Sequence, residues 1–287
     1  MPSLIDIRRR IRSVRNTQQI TKAMKMVSAA KLRRAQDKAL SARPYARLLG
    51  SLLADVSAAA AGDERVAAHP LLACRPERRI RLVLVTADRG LAGAFNANLI
   101  KGGLRFLEEH AEAEVGLVTF GRKGRDFFRK RGAAIVAEQI GITEKITYPD
   151  AAAIARGVME PFGRGELDAV YLLFNEFKSV VAQKLVVKRV LPLTLPEGGG
   201  KIDFIYEQPP EQLLERLLPR YVEVEIYQAL LESAAAQQAA RMTAMEAATS
   251  NAADMIERLT LYMNRVRQAS INKEIIEVVS GAAAAVE

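Results

Sequence analysis

RYVEVEIYQALLESAAAQQAARMTAMEAATSNAADMIERLTLYMNRVRQASINKEIIEVVS, residues 220–280, is the stretch whose reading decides the fold. Its 61 residues contain neither glycine nor proline, with Pro219 just before them and Gly281 just after. Proline suits a first helical turn and glycine suits a stop, so the stretch predicts one unbroken helix. At 1.5 Å per residue it would run ~90 Å, longer than a compact domain is wide. Met242, Met245, Thr249, Ala252, Ile256, Leu259, Met263 and Val266 step by threes and fours. That is the narrow seam of a coiled coil, and a helix with one such seam needs a partner.

The other end of the chain supplies it. Between Pro2 and Pro44 there is no helix breaker, and Ser3 is a plausible N-cap. Leu4, Ile7, Ile11 and Val14, then Ile20, Met24, Val27 and Leu32, again step by threes and fours, apart from one slip around Thr17–Ile20. A helix from Leu4 to Arg43 is expected. If a globular unit lies between the two helices, they must lie side by side in antiparallel directions. The longer C-terminal helix should then project beyond its partner. Its tip carries Ile275, Ile276, Val278, Val279 and Val286, an apolar surface that calls for a sleeve from another protein.

The middle of the chain alternates. Strands are expected over Ile80–Thr86, Val115–Phe120, Ala134–Ala137, Asp168–Phe174 and Val180–Leu191. Helices are expected over Leu91–His110, Arg122–Lys130 and Ala151–Met159. Gly62–Glu64, Pro70–Pro76 and Leu195–Lys201 read as loops. Such alternation predicts a mainly parallel sheet covered on both faces. The expected fold is therefore α/β plus coiled coil: a long antiparallel two-helix coiled coil with an inserted Rossmann-like α/β domain of about five strands. The divisions are residues 1–60, 61–208 and 209–287.

Charge is placed unevenly. The whole chain carries +9 over its 287 residues. Met1–Arg43 holds 12 Lys/Arg against Asp6 and Asp37, whereas the remainder holds 30 bases against 31 acids. The N-terminal helix is thus a basic collar that would be steered toward acidic surfaces and weakened by salt. A single cysteine, Cys74, excludes an internal disulfide and points to a reducing compartment. No apolar run approaches the ~20 residues needed to span a bilayer, and no signal peptide is visible.

Candidate chemistry is sparse. Thr86-Ala-Asp-Arg-Gly-Leu-Ala-Gly93 follows a strand and opens a helix, where a nucleotide-binding fold would hold phosphates. Neither G-x-G-x-x-G nor a P-loop is present, so a turn in which Asp88 caps its own helix is favoured. Gly121-Arg-Lys-Gly124 reads as turn chemistry as well. His69 and His110 are expected at the surface, with no nucleophile or metal-ligand spacing beside them. No catalytic residue, cofactor or metal is expected. The collar has no aromatic before Tyr45 and no DNA-binding motif, which weighs against nucleic acid.

Four segments resemble the gamma subunit of the F-type ATP synthase: Ile11–Gln36, Asp88–Asn96, Ala239–Asn251 and Arg267–Ala282. The likeness runs from end to end, and the compact start is of the bacterial kind. It implies that the terminal helices form a rotor shaft inside a ring of alpha and beta subunits. The α/β domain would stand on the c-subunit rotor ring and the epsilon subunit. Proton flow would turn the shaft and drive ATP synthesis or hydrolysis at the beta subunits. By the same resemblance Met24, Lys25, Arg241, Arg267 and Gln268 touch beta, and the apolar tip turns in a bearing. The chain itself would be non-catalytic, bind no nucleotide and no nucleic acid, not insert in the membrane, and lie on the cytoplasmic face of the bacterial plasma membrane. Gln237 and Asn272 depart from the Glu and Thr common in the family. Two other readings remain: a nucleotide-binding enzyme, and a basic coiled-coil adaptor with a non-catalytic α/β domain.

Overall fold

The computed structural model describes residues 3–59, 69–143, 145–194 and 209–284. The expected loops at 62–64 and 195–201, and Val286 at the tip, lie outside them. The elements in order are α1 (Leu4–Ala59), a 3₁₀ turn (Pro70–Leu72), β1 (Arg79–Val85), α2 (Phe95–Glu109), β2 (Glu114–Phe120), α3 (Arg122–Lys130), β3 (Ile135–Gln139), α4 (Tyr148–Gly163), β4 (Ala169–Phe177), β5 (Gln183–Leu191) and α5 (Pro210–Ala284). They form two compact units. One holds residues 1–27 and 242–287; the other holds 28–241. Among the described residues no helix is long and apolar enough to cross a membrane.

Both long helices run past the prolines expected to bound them. Pro44 lies inside α1 and Pro219 inside α5. An interior proline costs ~3 kcal/mol through a lost hydrogen bond and a clash. Burying one Leu or Val side chain returns roughly 1.5–3 kcal/mol. Beyond Pro44, Leu49, Leu53 and Val56 are buried; around Pro219, Leu214, Leu218 and Val222 are buried. Packing on the α/β unit therefore outweighs the local penalty at each proline.

The sheet has the order β3-β2-β1-β4-β5. β1 runs parallel to both β2 and β4, and β2 parallel to β3, while β5 returns antiparallel to β4. Alternation along β1 sorts its side chains by face. Leu82 and Leu84 join Leu99 and Phe106 of α2 and Phe128 of α3. Val83 and Val85 join Ile154 and Val158 of α4, Leu53 and Val56 of α1, and Leu218 and Val222 of α5. One face is thus covered by short helices. The other is covered by α4 and by the adjoining turns of the long ones.

Helix α2 starts at Phe95, four residues later than expected. Leu91 and Gly93 take positive φ, 60° and 53°, which no helical turn accommodates. Helix α4 starts earlier than expected, at Tyr148, because Thr147 N–H donates to the Asp150 carboxylate in a capping box. At the far end of the sheet, Asp168 joins β4 to β1. Its carboxylate accepts from Arg79 N at 2.8 Å and from Arg79 Nη2 at 2.9 Å.

The bond from Arg79 holds the Asp168 carboxyl below the usual carboxylate range, against the opposing effect of burial. A depressed pKa contributes stability above the unfolded value of about 3.9, lost as pH falls through the folded value. Asp168→Asn is accordingly expected to melt several degrees below wild type near neutral pH. The gap between the two should close in acid, as followed by circular dichroism. Gly121 has φ of 93°, and a Cβ there would meet Thr86 O at 2.2 Å. Gly121→Ala should cost at least about 2 kcal/mol in urea unfolding, combining backbone strain with that clash.

Candidate functional site

In the terminal unit the α5 seam is as spaced in the sequence. Met242, Met245, Thr249, Ala252, Ile256, Leu259, Met263 and Val266 are all buried or half-buried. On α1, Leu4, Ile7, Ile11 and Val14 are likewise turned in, but Ile20 and Val27 are exposed, at 59% and 55%. The seam goes instead through Gln18, Thr21 and Lys25, all buried or half-buried. With those positions the steps 4, 7, 11, 14, 18, 21, 25 keep a strict alternation of threes and fours. The slip around Thr17–Ile20 does not exist; polar side chains occupy the seam where apolar ones were sought.

These polar residues meet across the pair. Thr21 Oγ1 and Thr249 Oγ1 lie 2.8 Å apart, and Lys25 forms an ion pair with Glu246. Moving forward from 21 to 25 on α1 moves backward from 249 to 246 on α5, so the helices are antiparallel. Neither threonine depends on the other, since each hydroxyl also reaches a carbonyl of its own helix, Gln18 O and Met245 O. Beyond the turns that face α1, residues 271–280 are all exposed. Ile275, Ile276, Val278 and Val279 stand 54–72% open.

The residues expected to touch a partner differ in what they offer. Met24 and Lys25 are half-buried at the seam margin, and Arg267 and Gln268 are exposed. Arg241 is only 6% exposed, belongs to the α/β unit, and donates through Nη1 to Gln238 Oε1 at 3.2 Å. Gln237 is buried and Asn272 exposed. Sequence reasoning missed Ile20, Met26 and Val27 as an outward apolar surface on the basic helix. The signal was present: a strict heptad that admits polar seam residues places Ile20 and Val27, seven apart, on the outer face.

At the carboxyl edge of the sheet, Asp88 does not cap its own helix. It caps α3, accepting from Arg122 N at 3.1 Å. It also accepts from Gly141 N at 3.0 Å and from the Thr143 hydroxyl at 2.7 Å. Burial pushes its pKa up, but the Thr143 hydroxyl and three backbone amides outweigh that, so it stays below the ordinary range. The next donors of α3 are also used within the chain: Lys123 N by Ala87 O, and Gly124 N by Thr86 Oγ1. A Cβ at Gly124 would meet that same Thr86 Oγ1 at 2.8 Å, so both glycines of the 121–124 turn serve close approach to β1. The first amides of α3, which a phosphate at that helix end would use, are thus bonded internally.

His69 and His110 are half-buried rather than exposed. His69 caps the 3₁₀ turn by accepting from Leu71 N, and burial lowers its pKa against the pull of Glu215. His110 stacks on Phe106 at the end of α2. Cys74 is exposed. Among the described residues no group of three or more His, Cys, Asp or Glu could hold a metal.

Comparison with known proteins agrees with this architecture. The family model described as ATP synthase matches residues 3–285. The ATP synthase gamma chain of Solibacter usitatus is 66% identical, over 99% of this chain and 100% of its own length. That of an Anaeromyxobacter species is 54% identical, over 99% of each. Among solved structures, the central stalk of the Tetrahymena thermophila mitochondrial ATP synthase is similar at a TM-score of 0.63 and 27% identity, over 80% of this chain and 99% of that one. A chain of the Euglena gracilis mitochondrial ATP synthase shares the fold, at a TM-score of 0.67 and 19% identity, over 98% and 94%. A seam-paired terminal helix unit, a five-stranded doubly covered sheet and these end-to-end likenesses lead to one conclusion: the chain belongs to the gamma-chain family of ATP synthases.

Proposed function

We propose that the terminal helix pair is a rotating shaft, non-catalytic in itself, that passes torque to nucleotide-binding subunits around it. As a gamma chain, the protein is the central-stalk subunit of an F-type ATP synthase. The observation that carries the mechanical reading is the continuous antiparallel seam ending in ten exposed residues, 271–280. A stiff pair with a bare apolar end suits an axle whose tip turns in a sleeve, and Ile275, Ile276, Val278, Val279 and Val286 would be its bearing.

The solved relatives are a central stalk with c-ring and an F1 with c-ring. By analogy the shaft stands in a ring of alpha and beta subunits, and the α/β unit rests on the c-ring and the epsilon subunit. The enzyme would lie on the cytoplasmic face of the plasma membrane. Met24, Lys25, Arg267 and Gln268 would meet beta subunits in turn; Arg241, nearly buried, offers a partner much less. The collar's charge supports such stepping contacts, because exposed ion pairs worth ~0–1 kcal/mol form and break readily. The outward Ile20, Met26 and Val27 add a modest apolar contribution to the same surface.

Removal of Ile275–Glu287 is expected to impair assembly or ATP-driven proton pumping of the complex while leaving the melting of the α/β unit unchanged. Normal assembly and coupling in the truncated complex would count against the bearing. Lys25→Glu should reduce coupled pumping, while Lys25→Gln, which removes the pair with Glu246 without adding a like charge, should shift the unfolding free energy of the chain by no more than about 1 kcal/mol. Wild-type pumping with Lys25→Glu would make the collar dispensable. A basic adaptor, by contrast, would float with anionic liposomes or shift nucleic acid at moderate salt.

A further inference from the structure

A second basic feature lies wholly within the α/β unit. Arg34 and Lys38 of α1, and Lys145 and Thr143 from the segment between β3 and α4, line a cleft of about 310 Å³. Ile146 and Leu231 contribute an apolar floor. Lys31 lines the same cleft but is engaged elsewhere. Arg34, Lys38 and Lys145 have no ion pair with a carboxylate among the described residues, and no described lining residue is acidic. Three like charges facing a partly enclosed space repel one another, and an anion between them relieves that repulsion.

The cleft is also held in shape. Asp88 accepts from Gly141 N, Thr143 N and Thr143 Oγ1, which fixes the wall that carries Lys145. A preformed wall spares a ligand the entropy of ordering it. Size narrows the choice of ligand. The α1 wall spans Lys31–Lys38, ~10 Å at 1.5 Å per residue. That is under two turns of a docked helix, but enough for a short chain of linked phosphates. We infer that this cleft binds a compact polyphosphate, either inorganic or the phosphate tail of a nucleotide, on Arg34, Lys38 and Lys145. The site is separate from the carboxyl edge at α3, where the amides are already taken.

The test is calorimetric titration of the full-length chain with sodium tripolyphosphate at low and near-physiological salt. One saturable site, weaker at the higher salt, is expected. Lys38→Glu and Lys145→Glu should each weaken it roughly tenfold, the scale of reversing one solvent-shared charge. Lys22→Glu, on the same basic helix but in the terminal unit, should change it less than about twofold by that reasoning. Equal affinity for ATP and tripolyphosphate assigns recognition to the phosphates; tighter ATP adds the apolar floor, and both support the site. Absence of saturable binding, an equal loss with Lys22→Glu, or a short polyglutamate peptide that outcompetes tripolyphosphate would each overturn it. Lys38 and Lys145 are at the surface, and thermal melts of their variants separate a binding loss from a folding one.

Discussion

The alternation of threes and fours along α1 and α5 is the constraint on which the rest of the structure depends. A narrow stripe on a long helix cannot be hidden by the helix itself, so each must find cover along its length. Cover comes in two forms. In the terminal unit the two stripes close on each other. In the α/β unit Leu53 and Val56 of α1, and Leu218 and Val222 of α5, close on one face of the sheet. The same periodicity thus serves a bare helix pair and a layered core, without a break in either helix.

The two forms of cover differ in kind. The sheet-facing turns bury Leu53, Val56, Leu218 and Val222 and are strong enough to carry a proline each. The terminal seam admits Gln18, Thr21 and Lys25 among its apolar members. Polar seam residues cost stability relative to leucine or valine, but they restrict register, since only one alignment joins Lys25 to Glu246. A pair that must keep its alignment under load gains more from fixed register than from additional apolar area.

Much of this was legible in the sequence because the signals were periodic. The long helices, the strands and the exposed tip all follow from counting steps between apolar residues. What was not legible depended on contacts distant in sequence. Pro44 and Pro219 read as boundaries because the penalty is local, whereas the leucines that offset it bury against elements far along the chain. Ile20 and Val27 were assigned to the seam because the count followed hydrophobicity alone; a count by position would have found Thr21 and turned Ile20 outward. Asp88 illustrates the same limit. Its sequence neighbours suggest a cap for α2, yet its partners are Arg122, Gly141 and Thr143. Of the residues the resemblance assigns to partner contact, Arg267 and Gln268 are exposed, while Met24 and Lys25 are half-buried at the seam. The near-complete burial of Arg241 could not be foreseen, because it arises from the packing of the α/β unit.

Asp88 also bears on how the carboxyl edge of this sheet is held together. In doubly wound folds the carboxyl edge is a set of loops with free amides, and a phosphate supplies the negative charge that holds them. Here the negative charge is built into the chain. An aspartate ties together the loops after β1, β2 and β3, and Thr86 and Ala87 take the next amides of α3. A ligand-dependent edge loosens whenever the ligand leaves; an edge bound by its own carboxylate remains closed at all ligand concentrations. For a unit that anchors two long helices, permanent closure is the more useful property, because slack in these loops would be slack in the mounting of the shaft.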